Sequence, residues 1–433
     1  MVERPRDQAS LKAPAPGVPL ASAVAALVPV RAFKEALLES VSSQWERFAY
    51  YRTLCAGQGI GFPDIKRFIA DEEYHRIPSV ASSAFKLSRG LIGELNALLA
   101  PGVFQVSSST CGDPSYVYAD DSELNCITDR YRRTFGIAGV RTAIAFAPSL
   151  RILRALSKRA SAMIPVREPA SAGLPVSTPG KRPGVLRMLT AIEGGVLHYE
   201  DTHFTVDVDI LKTLANRAIG RPAAVRRVSA DSLRAIIRAG HAAGESITLG
   251  GVVLLLRPYL NEFREGEFSL GALGHVAFSG GGYSGAKGAI RGEKIDKPRF
   301  ISRIAAVFGI DERFWSTNIK DIYGFTETSS LHVGYWNRDL GDFLFSTDPG
   351  ARLYIVDPQT EEPLRSGRGL IKVITPYASG KASAANVSVL QYDEAEIVRC
   401  RDTGEVELFT RLSRFQGSSV EGCAFKAADI AGP

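Results

Sequence analysis

A chain of 433 residues is too long for one simple core, so two or three packed subdomains are expected. Its composition, 45% hydrophobic and 23% charged with 41 glycines, fits a soluble enzyme with many tight turns. A formal charge of +6 is small for this size, and the basic residues do not interleave with aromatics in a stripe. That balance argues against nucleic acid and suits a protein that handles phosphates or acids.

The scattered cysteines Cys55, Cys111, Cys126, Cys400 and Cys423 contain no CxxC pair, so neither a disulfide framework nor a zinc site is expected. The six histidines show no metal-ligand spacing.

Residues 1–30 read as a flexible leading segment, with an apolar run at Val18–Val30 behind Arg4, Arg6 and Lys12. Such a run raises a secretory signal, but Arg31–Cys55 continues at once as an amphipathic helix carrying Phe33, Leu37, Leu38, Val41, Trp45 and Phe48 on its period. No run is long enough to span a bilayer, and a cytoplasmic location is expected. The helical pattern persists to about residue 100, broken by turns at 57–63.

Phe104–Tyr118 then reads as strand, Ser/Thr/Gly loop and strand, Ala143–Pro148 as a strand, and Leu150–Met163 as a helix. Glu168–Arg187 looks like a long exposed loop, and 151–187 sets eight basic residues against the single acid Glu168. A solvated face and a docking surface for an acidic partner both fit that run. Helices are expected at Asp207–Ala218, Ser229–Ala243 and Pro298–Phe308, and strands at Gly251–Leu256 and His275–Ser279. This alternation favours α/β layers on a largely parallel sheet. From residue 343 the pattern turns to short strands: Phe343–Phe345, Arg352–Val356, Gly369–Ile374, Glu396–Arg399 and Glu405–Phe409. The expected organisation is therefore α/β layers over 31–340, a smaller β-rich subdomain over 341–412 and a short terminal segment over 413–433.

Five motifs could carry chemistry. Ser107-Ser-Ser-Thr-Cys-Gly-Asp-Pro-Ser115 offers hydroxyls and backbone N–H groups in a loop between strands, the makings of an anion nest without the Walker ending. Phe278-Ser-Gly-Gly-Gly-Tyr283 puts three glycines after a strand, where a flat ring or a phosphate can approach the backbone. Tyr323-Gly-Phe-Thr-Glu327 pairs a hydroxyl, which can donate to a phosphate oxygen, with a carboxylate able to hold Mg²⁺. Asp393, after Val389-Leu-Gln-Tyr392, could accept from both hydroxyls of a ribose. Arg414 and Gly417-Ser-Ser-Val-Glu-Gly-Cys423 close the series. Each alone is equally a polar turn or a surface group.

In this order the five resemble the adenylate-forming superfamily of acyl and aryl acid ligases. The wording is most similar to its acyl-protein synthetase family, the fatty-acid reductase synthetase components, over most of residues 60–426. The resemblance implies the large domain of that fold, with the mobile C-terminal domain largely absent, and it implies ATP and Mg²⁺. Ser107, Ser108, Thr110 and Gly112 would lie along the phosphates. Gly280, Gly281, Gly282 and Tyr323, with Gly324 beside it, would border adenine. Thr326 would touch the α-phosphate, Glu327 would hold the metal, and Asp393 with Arg414 would bind ribose. The matching acyl acceptor would be Cys423, and His203, Phe204 and Ser279 fall where the acid pocket is expected.

The implied activity is ATP-dependent conversion of a carboxylic acid to an acyl-adenylate. Transfer to an enzyme cysteine and then to a reductase or carrier protein would follow. Two alternatives stand beside it: a stand-alone acyl or aryl acid ligase of secondary metabolism, and a degenerate protein that holds an acid or adenylate without turnover.

Overall fold

A computed structural model describes residues 30–98, 102–106, 115–127, 140–148, 187–189, 201–208, 225–279, 281–287, 290–328, 330–377 and 380–415. The expected helix Leu150–Met163, nearly all of the loop Glu168–Arg187 and most of the helix Asp207–Ala218 lie outside them. Asp207 itself falls in a strand.

The amphipathic pattern at the start folds as two helices, Val30–Arg47 and Ala49–Gly57, rather than one. The break is Phe48, whose backbone is extended (φ −105°, ψ 101°) while its ring is buried. Phe33, Leu37 and Val41 face inward; Leu38, one step off that stripe, is 38% exposed. A third helix, Phe62–Ala70, begins at Gly61, whose N–H donates to Asp64 Oδ2 at 3.0 Å.

The parallel layer runs β6 (Asp201–Val208), β4 (Val140–Pro148), β8 (Ser246–Gly251), β9 (Gly274–Ser279) and β12 (Ile319–Phe325), each parallel to the next. Beyond β6, the short β7 (Val225–Arg227) pairs antiparallel. Helix Ala230–Ala242 is capped by Ser229, whose hydroxyl accepts from Ser232 N. Helix Lys297–Phe308 starts at Asp296 and ends at Gly309, φ 63°, where a Cβ would meet Phe268 O at 2.3 Å.

Gly251–Leu256, expected as a strand, instead straddles a turn. The strand is Ser246–Gly251, and helix Val253–Glu262 follows it. Val252 to Leu256 are all buried, and an unbroken apolar run of this length gives no period by which to separate strand from helix.

The antiparallel half continues the same sheet from β12 through β13 (Ser330–Asn337), β14 (Asp342–Ser346), β18 (Val406–Arg414), β17 (Ser388–Cys400), β16 (Arg368–Ile374) and β15 (Arg352–Val356). Among the described residues this makes one 13-stranded sheet, completed by β1 (Val80–Ala81), which pairs parallel to β17. β13 and β14 pair directly across residues 338–341. β2 (Gly102–Val106), β3 (Tyr116–Asp120) and β5 (Arg187–Leu189) form a separate three-stranded sheet, and β10 (Ala286–Lys287) pairs with β11 (Ile290–Arg291).

Two large cores result. One fills the parallel layer, its helices and the inner face of β13, β14 and β18. The other joins the N-terminal helices to β15, β16 and β17, through Phe33, Leu37, Tyr51 and Phe85 against Tyr354, Ile374 and Leu390. Polar ties reinforce the second core. The Arg352 guanidinium lies 3.9 Å from the Phe33 ring centre and 3.4 Å from Glu405, and Lys372 Nζ donates to His75 O at 2.6 Å and to Ile77 O at 2.8 Å.

Candidate functional site

Because β4, β8, β9 and β12 are parallel, their carboxyl ends share one edge, the place where open α/β sheets bind ligands. Ile322 pairs with Ser279, so the turn after β9 and the turn after β12 emerge side by side. The glycine run and the Thr-Glu pair, over 40 residues apart in the chain, are neighbours for that reason.

In the first turn Gly281 and Gly282 have φ of 67° and 104°, conformations that side chains rarely adopt. Tyr283 anchors this turn. Its ring packs on Phe278 and Phe343, and its carbonyl accepts from Ile295 N at 2.8 Å. Burial holds the Tyr283 phenol well above its ordinary pKa. Asp321 on β12 is pushed up to about 6, first by burial, against the pull of Lys297; Asp342 nearby adds to the rise. Lys297 and Asp342 form an ion pair of 2.5 Å beside it.

Tyr323 Oη donates to Asp393 Oδ2 at 2.6 Å, and Arg414 Nη1 donates to Asp393 Oδ1 at 2.9 Å. Asp393 and Arg414 are cross-strand partners on β17 and β18. Between β12 and β17 the sheet order places β13, β14 and β18. Four strand spacings in a flat sheet would span about 19 Å. The sheet therefore curls, bringing the middle of β17 over the end of β12. Register shifts along β17 and β18, between Glu394 and Glu396 and again beyond Ile397, accompany that bend. Aromatic side chains fill the inside: Phe345 stacks on Phe409 at 5.2 Å, and His332 meets Phe325 and Phe409 edge-on. Burial, and then the Asp393 carboxylate, hold the Tyr323 phenol neutral far above its ordinary range.

Past β12, Thr326 is half-buried and Glu327 only 7% exposed. Asn386 Nδ2 donates to the Glu327 carbonyl at 2.6 Å. The following Thr328 hydroxyl lies 2.9 Å from Ser330 Oγ, which lies 3.3 Å from His332 Nε2. His332 Nδ1 accepts from Asp348 N at 3.1 Å, so the ring proton sits on Nε2 and the hydroxyls orient toward Thr328. A Cβ at Gly324 would sit 2.8 Å from Leu331 Cδ2, the end of a side chain that can give way.

The structure thus brings together Ser279, Gly281, Gly282, Tyr323, Gly324, Thr326, Glu327, Asp393 and Arg414. His203 and Phe204 stand apart: they lie on β6, with β4, β8 and β9 between them and β12. Ser107, Ser108, Thr110, Gly112, Gly280 and Cys423 lie outside the described residues. Asn386 and His332 escaped the sequence reading, since nothing local marks a residue whose partner is 59 positions away. A separate cavity of about 310 Å³, lined by residues such as Arg227, Asp231, Arg234 and Tyr259, shares no residue with this edge.

Among the described residues no cluster of three or more His, Cys, Asp or Glu could hold a metal. Glu327 alone fits Mg²⁺, an ion commonly held by one carboxylate plus phosphate oxygens. No hydrogen bond or ion pair of its carboxylate occurs among the described residues, so its oxygens remain acceptors.

No protein-family model and no curated sequence matches the chain. Among solved structures it superposes on 2-hydroxyisobutyryl-CoA ligase in the postadenylation state, in complex with 2-HIB-AMP, with a TM-score of 0.50 and 11% identity, covering 89% of this chain and 67% of that one. The chain has an adenylate-forming ligase fold. The same ligase in the thioesterification state gives a TM-score of 0.47 at 11% identity, covering 89% and 68% of the two chains. ATP-bound MatB from Rhodopseudomonas palustris gives 0.39 at 12% identity, covering 70% and 47%. The chain spans about half to two thirds of the length of these structures, and assignment of the adenylate-forming fold rests on the first. No helix among the described residues is long and apolar enough to cross a membrane.

Proposed function

We propose that the chain uses ATP to activate a carboxylic acid as an acyl-adenylate. The observation that carries this is Tyr323 tied to Asp393, with Arg414 beside it, over a carboxyl edge that also presents the glycine turn and a buried Glu327. Adenine would lie between Gly281–Gly282 and Tyr323. Each Asp393 oxygen accepts one bond already and keeps a lone pair for a ribose hydroxyl. Thr326 would donate to the α-phosphate, the loop Ser107–Gly112 would cradle the remaining phosphates, and Glu327 would hold Mg²⁺. When bound, Mg²⁺ would supply charge neutralisation at the phosphates.

A carboxylate oxygen of the acid attacks the α-phosphorus while the bond to pyrophosphate breaks. The chain's own contribution is alignment of that attack and preorganised donors around the transferring group. A fold shared with a ligase that holds 2-HIB-AMP supports the reading.

The test is acid-dependent exchange of labelled pyrophosphate into ATP across a panel of fatty and aromatic acids. Exchange should appear with at least one acid and fall by about 10²–10³ in Glu327→Gln, the range for losing a group that stabilises transition-state charge. Exchange unchanged in Glu327→Gln would remove that residue from the metal role, and absence of exchange with every acid would leave the binding-protein alternative.

The closing Gly417-Ser-Ser-Val-Glu-Gly-Cys423 favours an acyl-protein synthetase-like next step. The Cys423 thiolate would attack the acyl carbonyl, form a thioester and expel AMP, and the acyl group would pass on to a reductase or carrier protein. Labelled acid plus ATP should then leave a hydroxylamine-sensitive label that Cys423→Ser prevents. Label surviving that substitution, or absent from the wild type, would favour the stand-alone ligase.

A further inference from the structure

The segment 382–387 is irregular yet buried throughout: Ala382, Ser383, Ala384, Ala385, Asn386 and Val387 are each 5% exposed or less. A buried loop must satisfy its polar groups, and the backbone and side chains of this one are tied to four distant places. Ala382 N donates to Ser43 Oγ and Val387 N to Gln44 Oε1, both on the first helix. Ala385 N donates to Leu95 O, and the Ser383 hydroxyl donates to Asp120 Oδ2. The fourth is Glu327.

Asn386 makes that last connection. Its amide donates to the Glu327 carbonyl at 2.6 Å, and its side-chain oxygen accepts from the Tyr377 hydroxyl. The Tyr377 ring is buried, its hydroxyl also accepts from Ala384 N, and its backbone N–H donates to Ser40 Oγ at 2.8 Å. Ser40 in turn donates to Ala36 O inside the first helix. Three links therefore run from helix Val30–Arg47 to the backbone of the Thr-Glu turn. On the other side of the turn, Thr328 is held through Ser330, His332 and the Asp348 backbone.

We infer that Asn386 is a positioning residue for Glu327: its amide, oriented by Tyr377 and the first helix, fixes the backbone from which the Glu327 carboxylate reaches a phosphate-bound divalent cation. The inference rests on the adenylation reading for the cation, but the anchor itself is independent of it. A turn of four residues between strands, 326–329, has few conformational constraints of its own, and a carboxylate that swings by an ångström loses alignment with its cation. Among the described residues the Asn386 amide is the side-chain donor on that carbonyl, so removing it frees the backbone between the two strands.

Two substitutions test this on the full chain. Asn386→Ala removes the amide, and Tyr377→Phe removes only the hydroxyl that orients it while keeping the buried ring. Amide hydrogen exchange, read by mass spectrometry, should accelerate at least tenfold in peptides containing residues 326–328 for Asn386→Ala, and less for Tyr377→Phe. Peptides confined to β9 should keep the wild-type rate. In acid-dependent pyrophosphate exchange the half-saturating Mg²⁺ concentration should rise about tenfold in Asn386→Ala, with the maximal rate at saturating Mg²⁺ changed less than threefold. A residue that only stabilises the fold would leave the Mg²⁺ dependence where it was. Wild-type exchange rates over 326–328 in both variants would overturn the anchor. Faster local exchange with an unchanged Mg²⁺ requirement would overturn its role toward Glu327. Should the wild-type chain catalyse no pyrophosphate exchange with any acid, the adenylation reading fails, and the hydrogen-exchange arm alone decides the anchor.

Discussion

The two halves of the sheet handle buried polarity in opposite ways. In the parallel half, β4, β8 and β9 present largely apolar side chains to a core of helices, and few charges enter. In the antiparallel half, Arg352, Lys372, His332, Asp348 and Glu405 are all buried, and each has a specific partner. β12 belongs to both, parallel to β9 and antiparallel to β13. It carries three groups with displaced titration: Lys320, lowered by burial to about 8, Asp321, raised to about 6, and Tyr323. Burial displaces others elsewhere, such as Lys372, lowered to about 8, and His275 on β9, lowered to about 4. Three such groups within four consecutive residues mark β12 as the candidate ligand strand, whereas the antiparallel charges are held by specific partners and read as architectural.

The sharpest way to break that division is Arg352→Ala. It leaves Glu405 buried without this partner and opens the contact with Phe33, so unfolding free energy should drop by about 3–5 kcal/mol. Denaturant titration reads it, and a loss below about 1 kcal/mol would show that the antiparallel charges are dispensable.

Asp321→Asn tests the seam and should act in the other direction. A folded pKa of about 6 lies above the ordinary 3.8, so the folded state binds this proton more tightly than the unfolded chain. The stabilising contribution is complete below about pH 4 and is lost as pH rises through about 6. Asparagine mimics the protonated form, so the variant should match the wild type near pH 4–5 and exceed it above pH 7. The limit is on the order of 3 kcal/mol, reduced by whatever attraction to Lys297 is lost. Denaturation midpoints at pH 5 and pH 8 that differ from wild type by the same amount would refute the assignment.

The smallest effect is expected at Asp393→Asn, which keeps the shape and one acceptor. Half-saturating ATP in pyrophosphate exchange should rise roughly tenfold, about 1.4 kcal/mol, with little change in stability. A variant that unfolds instead would make Asp393 architectural after all.

Local chemistry was legible in the sequence; the way the halves meet was not. The helix over residues 298–308, the strand ending at Ser279 and the strands after residue 343 follow from capping residues, period and turn chemistry. The neighbourhood of Ser279 and Thr326 follows once the sheet is parallel. By contrast, the 2.6 Å contact between Tyr323 and Asp393 depends on a curl set by irregular pairing along β17, and no period encodes it. The packing of the N-terminal helices on β15–β17 was equally hidden, because an amphipathic stripe states that a partner exists and not which one.

That last packing has a consequence for synthesis. Ser40 and Tyr377, joined in the folded chain, are 337 residues apart. At elongation rates of about 5–20 residues per second, the first helix emerges roughly 20–70 s before the strands that cover it. During that interval Phe33 can already meet Tyr74, but the part of this core that β15–β17 supply is missing, and the parallel layer can assemble meanwhile. Nascent chains should therefore hold a folded centre and a half-covered first helix on the ribosome, a state suited to chaperone capture and finished only when the late strands arrive.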